Sequence, residues 1–191
     1  DRCLTCRNCE STCPSGVQYG NLVDIGRKIV DDKVERPFSE RALRWALKEG
    51  LPSPLFGPAM KLGQAVRGLL PATLQAKVPA PRPAGAWPTR AHERKVLLLA
   101  GCVQPSMAPN INAATARVLD AAGIQTVVAP GAGCCGAVKF HLNDQDGGLA
   151  QMRANIDAWW PYVEDVEAIV MNASGCGVTV KEYGHLLRQI G

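Results

Sequence analysis

Four cysteines crowd the first thirteen residues: Cys3, Cys6, Cys9 and Cys13, spaced C-x2-C-x2-C-x3-C and followed at once by Pro14. That spacing holds a [4Fe–4S] cubane. The short gaps wrap the backbone around one inorganic core, and the longer step carries the fourth thiol outward. Pro14 stops a local helix from running backward into the loop. A structural zinc site would instead use two C-x-x-C pairs separated by a longer segment. A disulfide framework belongs to small secreted chains, and no signal peptide is expected here.

In two-cluster proteins the fourth cysteine of such a run serves the neighbouring cluster. Cys3, Cys6 and Cys9 are therefore expected to hold one cluster and Cys13 to belong to a second, with its remaining ligands upstream. The sequence opens on Asp1 rather than Met, so we read it as a fragment of a longer subunit.

With 191 residues, 47% of them hydrophobic, the chain can bury a core of one or two domains. Its apolar runs, such as 96–102, are too short to span a bilayer. Charge is unevenly distributed: residues 1–95 hold sixteen Lys and Arg against nine Asp and Glu, whereas residues 96–191 hold five against eight. The basic half suits a thiolate-ligated cluster, an acidic partner or an anionic lipid surface. Nucleic acid is not expected as a partner, because aromatics are 5% of residues and the basic residues are scattered. Eight cysteines without secretion signals point to a reducing, cytoplasmic setting and to metal ligation.

Helical periodicity covers 17–32 (Leu22, Ile25, Ile29) and 40–49, where Ser39 is the expected N-cap. Between 54 and 78, Pro58, Gly68 and Pro71 should divide the pattern into two short helices. There Lys61, Arg67 and Lys77 stand opposite Leu62, Val66, Leu69 and Leu70. A helix packed on its own domain fits that pattern better than a membrane-surface helix does. Prolines at 79, 81, 83 and 88 make 79–95 a stiff linker. Beyond it, strands are expected at 96–100, 126–129 and 168–171. They alternate with helices at 108–122, 145–162 and 180–187. That alternation implies a short parallel sheet flanked by helices. The expected division is thus a helical domain over 1–78, a linker over 79–95 and an α/β domain over 96–191.

Cys102, the pair Cys134–Cys135, and Cys176 each follow one expected strand. In a parallel sheet the carboxyl ends of the strands share an edge, and ligands collect there. Three loops would bring four thiols together, with Gly101, Gly133, Gly136, Gly175 and Gly177 letting a bulky ligand approach. A further Fe–S cluster, a zinc ion, or inert or redox-paired thiols all remain open for this set. His92 falls in the linker, and His141 and His185 read as surface or capping histidines rather than bases. Lys139–Phe140–His141 is the one polar cluster suited to a proton role. Arg2 and Arg7 read either as favouring a reduced, more negative cluster or as plain solvated arginines.

Gly133–Cys134–Cys135–Gly136, between Cys102 and Cys176, resembles the cysteine-rich CCG domain of heterodisulfide reductases and of iron–sulfur subunits of 2-hydroxyacid dehydrogenases. The N-terminal run resembles the bacterial ferredoxin motif, so the expected fold is an α-helical ferredoxin-type domain followed by an α/β CCG domain. The stretches 3–20, 101–119, 133–142, 155–160 and 172–187 resemble the glycolate oxidase iron–sulfur subunits in particular. The family pattern ends C-x-x-C, but Thr179 stands three residues after Cys176, leaving four thiols rather than five. That departure weighs against a disulfide-reducing CCG centre. The family carries two CCG modules and two ferredoxin motifs, so one of each here implies the middle of a longer subunit.

The resemblance implies electron transfer through two [4Fe–4S] clusters in the full ferredoxin domain. Hydride removal from a hydroxyacid needs a flavin or nicotinamide. No G-x-G-x-x-G fingerprint is expected after the three strands and no nucleotide site in this chain, so FAD is assigned to partner dehydrogenase subunits that oxidise glycolate to glyoxylate. Electrons would pass on to quinone or another membrane acceptor. The implied location is cytoplasmic, or peripheral on the cytoplasmic face of the inner membrane. The alternatives are disulfide reduction at the CCG site and a zinc-stabilised scaffold with no redox role.

Overall fold

The computed structural model describes residues 7–190, so Cys3, Cys6 and Arg2 lie outside the described residues. Five helices come first: α1 (Asn8–Thr12), α2 (Tyr19–Lys33), α3 (Phe38–Gly50), α4 (Phe56–Ala65) and α5 (Ala72–Gln75), with a 3-10 turn at Arg67–Leu69. Pro58 falls in the first turn of α4, where a missing N–H costs nothing. Gly68 and Pro71 do break the pattern, as the sequence indicates. Ser39 lies inside α3 rather than capping it, because Pro37 takes the N-cap and sets the extended entry into the helix. Residues 79–92 form neither helix nor strand.

The α/β part follows as β1 (Arg94–Leu98), α6 (Gln104–Met107), α7 (Pro109–Ala121), β2 (Ile124–Val127), α8 (Ala137–His141), α9 (Gln145–Trp159), β3 (Ile169–Val170), α10 (Ser174–Lys181) and α11 (Tyr183–Ile190). The three strands are parallel in the order β2-β1-β3, with Leu97 paired to both Val127 and Ile169. β1 and β2 each start two residues before the expected positions. Periodicity locates a strand's apolar centre better than its ends. The helix expected at 180–187 is two helices, α10 and α11, meeting at Glu182.

β1 is central and its run Val96, Leu97, Leu98, Leu99 is fully buried. α9 lays Leu149 and Met152 against it, joined by Phe140 and Trp159. Gly136 is required at the start of α8. Its φ is +87°, and a Cβ there would stand 2.7 Å from the Gly148 carbonyl oxygen and 3.1 Å from Met152 Cγ. The expectation that this glycine makes room for a ligand is therefore corrected: it makes room for α9.

The helical part turns the opposite way. α2 points Asp24 inward, 9% exposed, while its neighbour Ile25 is 57% exposed, as are much of Leu22, Ile29 and Val30. The apolar stripe read from the sequence exists, but it faces out. The inner stripe meets the α/β part through polar contacts. His141 Nδ1 lies 3.0 Å from Asp24 Oδ1, Asn143 donates to the Arg27 carbonyl, and Lys139 pairs with Glu49. Lys48 from α3 reaches Asp144 at 3.9 Å.

Candidate metal centre

Each of the four later cysteines stands in a loop that leaves the carboxyl end of one strand. Cys102 follows β1, with Gly101 at φ +80° turning the chain outward. Cys134 and Cys135, both buried, end the loop from β2, and Cys176 sits in the first turn of α10 after β3. A strand order of 2-1-3 makes the β1/β3 boundary the topological switch point, where crevices open at such an edge.

The thiols touch one another in a chain: Cys102 hydrogen-bonds with Cys134, Cys134 with Cys135, and Cys135 with Cys176. Their acidities diverge accordingly. The bond to Cys134 and then burial push the Cys102 thiol far up. Cys134 is lowered by Cys102, but Cys135 and burial outweigh this and raise it. Cys135 is lowered by Cys134, yet Cys176 and burial push it up to about 12. Cys176 alone is held below the usual thiol range, by its hydrogen bond with Cys135 against the opposing effect of burial. Without a cation the cluster is mostly protonated, because ionising neighbouring buried thiols would crowd like charges.

Four soft donors at one sheet edge fit a thiolate-bound metal or iron–sulfur core by chemistry. As they stand they are packed sulfur against sulfur. Among the described residues no group of three or more His, Cys, Asp or Glu is arranged to hold a metal ion. A cation entering here would spread the thiols and release protons.

Two side chains missed in the sequence hold the central loop. Asn155 of α9, 1% exposed, accepts from the Gly133 N–H at 2.8 Å and donates to the Cys134 carbonyl at 2.8 Å and to the Tyr183 hydroxyl at 3.0 Å. Tyr183 in turn donates to the Cys135 carbonyl at 2.8 Å. Burial raises the Tyr183 phenol well above its ordinary value, so it remains a donor. A second network steadies the outer loops. Asn112 donates to the Ala100 carbonyl at 3.0 Å, Asn172 donates to Asn112 at 2.9 Å, and Gln104 joins both asparagines. The signal available for these was a polar residue on an otherwise apolar helix face, as at Asn155 between Met152 and Ile156.

The β2 loop also spells G-x-G-x-x-G through Gly131, Gly133 and Gly136. This corrects the expectation of no nucleotide-like fingerprint. The letters do not make a phosphate cradle, however. The Gly133 N–H is already bonded to Asn155, Gly136 packs on α9, and α8 is a five-residue turn.

Other candidate residues are dispersed. Cys9 is exposed and Cys13 half-buried near α1, where backbone hydrogen bonds from Val17 and Ser15 lower the Cys13 thiol. Arg7 does not stand free beside the cysteines: its Nη1 lies 2.9 Å from Glu182 Oε1, tying α1 to the α10–α11 corner. Lys139 and His141 are likewise spent on contacts to α2 and α3, and His92 pairs with Asp120 at 2.8 Å. Thr179 is buried and donates to the Gly175 carbonyl at 3.0 Å, so the hydroxyl serves α10 itself. Trp159 is core and stacks on Tyr183, whereas Trp160 is exposed. An apolar hollow of about 500 Å³ runs along β3, lined by Ile156, Trp160 and Val163, and none of the cysteines lines it.

Residues 96–181 match the cysteine-rich domain family named CCG. Over 196 aligned residues the chain is 56% identical to the "Glycolate oxidase iron-sulfur subunit" of Escherichia coli K12, covering 98% of this chain and 47% of that protein. It is 30% identical to the "Probable glycolate oxidase iron-sulfur subunit" of Bacillus subtilis 168, covering 97% and 48% respectively. The chain spans about half the length of these curated relatives. No solved structure matches. The matched stretch spans the three-stranded sheet and the loops that gather the thiols, whereas the likeness to both relatives extends through the helical part.

Proposed function

We propose that this chain is the electron-transferring part of an iron–sulfur subunit in a glycolate-oxidising enzyme. One observation carries the reading: three loops distant in sequence deliver Cys102, Cys134, Cys135 and Cys176 to one sheet edge, within a chain similar throughout to glycolate oxidase iron–sulfur subunits. Cys3, Cys6 and Cys9 would hold one [4Fe–4S] cluster and Cys13 would serve its neighbour, within a ferredoxin-type domain over 1–78. The linker 79–95 would join it to the CCG domain over 96–191, whose four cysteines would hold the further centre. When bound, such clusters accept and release single electrons at a potential tuned by charge, hydrogen bonding and exposure.

The chain's own residues would keep the thiols in place for that role. Asn155 and Tyr183 bond to the carbonyls of Cys134 and Cys135, so the backbone of this loop would be held without using the sulfurs. The Arg7–Glu182 pair fixes α1 against the corner that follows Cys176. Glycolate oxidation to glyoxylate would take place on partner subunits carrying FAD, with quinone or another membrane acceptor receiving the electrons, at a cytoplasmic location.

The test is metal and sulfide analysis of the chain purified without oxygen, for the native protein and for two serine variants. Iron with acid-labile sulfide is expected, falling in Cys9→Ser and falling separately in Cys135→Ser. Stoichiometric zinc without sulfide would replace this reading with a scaffold. In the complete enzyme, glycolate should reduce the clusters as seen by low-temperature EPR; reduction by lactate alone would overturn the substrate.

A further inference from the structure

α4 is built inside out. Its small residues do the packing: a Cβ on Gly57 would lie 3.2 Å from Ser106 Oγ, one on Gly63 would meet Val78 at 3.7 Å, and Gln64 donates to the Ser106 carbonyl. Its leucines point away. Leu55 is 72% exposed, Leu62, two turns further on, 67%, and Leu69, in the following 3-10 turn, 87%. Own-domain packing, which the sequence favoured for this segment, therefore does not cover Leu62 or Leu69. The piece is nonetheless ordered from within, since Arg67 Nε donates to the Val78 carbonyl at 2.9 Å and Gln75 donates to the Arg67 carbonyl.

Charge decides what such a face can meet. No Asp or Glu occurs between Glu49 and Glu93, while Lys61, Arg67, Lys77, Arg82 and Arg90 all fall in that span. Lys61, Lys77 and Arg82 are exposed and have no ion pair among the described residues. Exposed aliphatic side chains on a segment whose only charges are cationic, with no carboxylate to repel a negative surface, match an anionic bilayer interface. Among the described residues no helix is long and apolar enough to cross a membrane, so contact would be at the surface.

We propose that the segment 55–82 docks the chain on an anionic lipid surface, with Leu55, Leu62 and Leu69 as its apolar contacts and Lys61 and Lys77 supplying the attraction. This rests on the exposure and charge of 55–82 and not on the iron centres, although it would bring an electron carrier beside a membrane acceptor. Docking inserts the leucine tips to the depth of the acyl boundary and sets the lysines at headgroup level.

The test is co-sedimentation of the full chain with vesicles of phosphatidylglycerol and phosphatidylcholine, against phosphatidylcholine alone. Binding to the anionic vesicles only is expected, weakening with salt. Each basic residue contributes roughly fivefold, so K61E/K77E should weaken partitioning by more than about tenfold. L62S/L69S, at sites exposed enough to leave the fold intact by circular dichroism, should weaken it comparably, and W45S on α3 should not. A chain that stays in the supernatant, that binds neutral vesicles equally, or that binds as well after L62S/L69S overturns the proposal. So does a chain that ignores vesicles but loses an acidic soluble partner in these variants. Vesicle binding needs no turnover, so its failure would leave electron transfer standing, and missing iron would leave docking standing.

Discussion

In the α/β part, Leu97, Leu98, Leu149 and Met152 are almost completely dry, and the strands and helices meet through them. In the helical part, α2 and α3 meet that body through Asp24, Arg27, Lys48 and Glu49, while Ile25, Leu43, Phe38 and Trp45 stand exposed. Both regions are amphipathic in sequence, yet only one uses its apolar face for its own fold. Hydrophobic burial holds the α/β part together and pins its loops, whereas polar contacts seat the helices beside it. A region seated in this way can keep large apolar surfaces for other contacts.

The sharpest way to break this contrast is a matched pair of truncations. Leu149→Ala should destabilise the chain by about 2–5 kcal/mol in urea unfolding, the cost of a cavity in a tight core. Ile25→Ala should stay within about 0.5 kcal/mol, as at an exposed site. Equal losses would mean that the apolar face of α2 is covered in solution.

Asn155→Leu probes how far the loop depends on polar pinning rather than on packing. It keeps the volume but orphans the Gly133 N–H and the Cys134 carbonyl, at about 1–3 kcal/mol for each buried group. Iron at the CCG site should fall while that dependent on Cys9 is kept, read by metal analysis of the double variants with Cys9→Ser. Unchanged iron and stability would show that packing alone shapes the loop.

The smallest effect sharpens the polar side. Burial alone would raise the Asp31 carboxyl, but hydrogen bonds from Arg36 and Asn143 and the charges of Arg44 and Arg36 hold it below its ordinary 3.8. A depressed carboxyl contributes stability above its ordinary value and loses it as pH falls through the lowered one. Acid should therefore loosen the α2–α3 corner by less than about 1 kcal/mol, since the site is partly solvated. Protection at the start of α3, taken as the exchange rate relative to the intrinsic rate at each pH, should fall in acid in the native chain but not in Asp31→Asn. Identical acid responses would remove Asp31 from the corner.

Much of the CCG part was legible because its signals are local. A run such as 96–99 reads as a buried strand whatever surrounds it, and a cysteine just after each of three such runs must reach one edge if the strands are parallel. Strand ends shifted because pairing partners, not propensity, decide where a ladder stops. Asn155 and Tyr183 were not legible, because their value lies in carbonyls twenty to fifty residues away. The G-x-G-x-x-G letters showed the converse: a motif's spelling survived while a neighbouring asparagine took the amide it would have needed.

What the residues determined unaided was periodicity, the separation of a basic half from an acidic one, and the placing of thiols behind strands, since each depends on neighbours along the chain. Which way α2, α3 and α4 turn their apolar faces was decided only in three dimensions. An amphipathic pattern states that two faces differ. It takes the partners on each side, here His141, Asn143 and Lys139 against one face, to determine which of the two is buried.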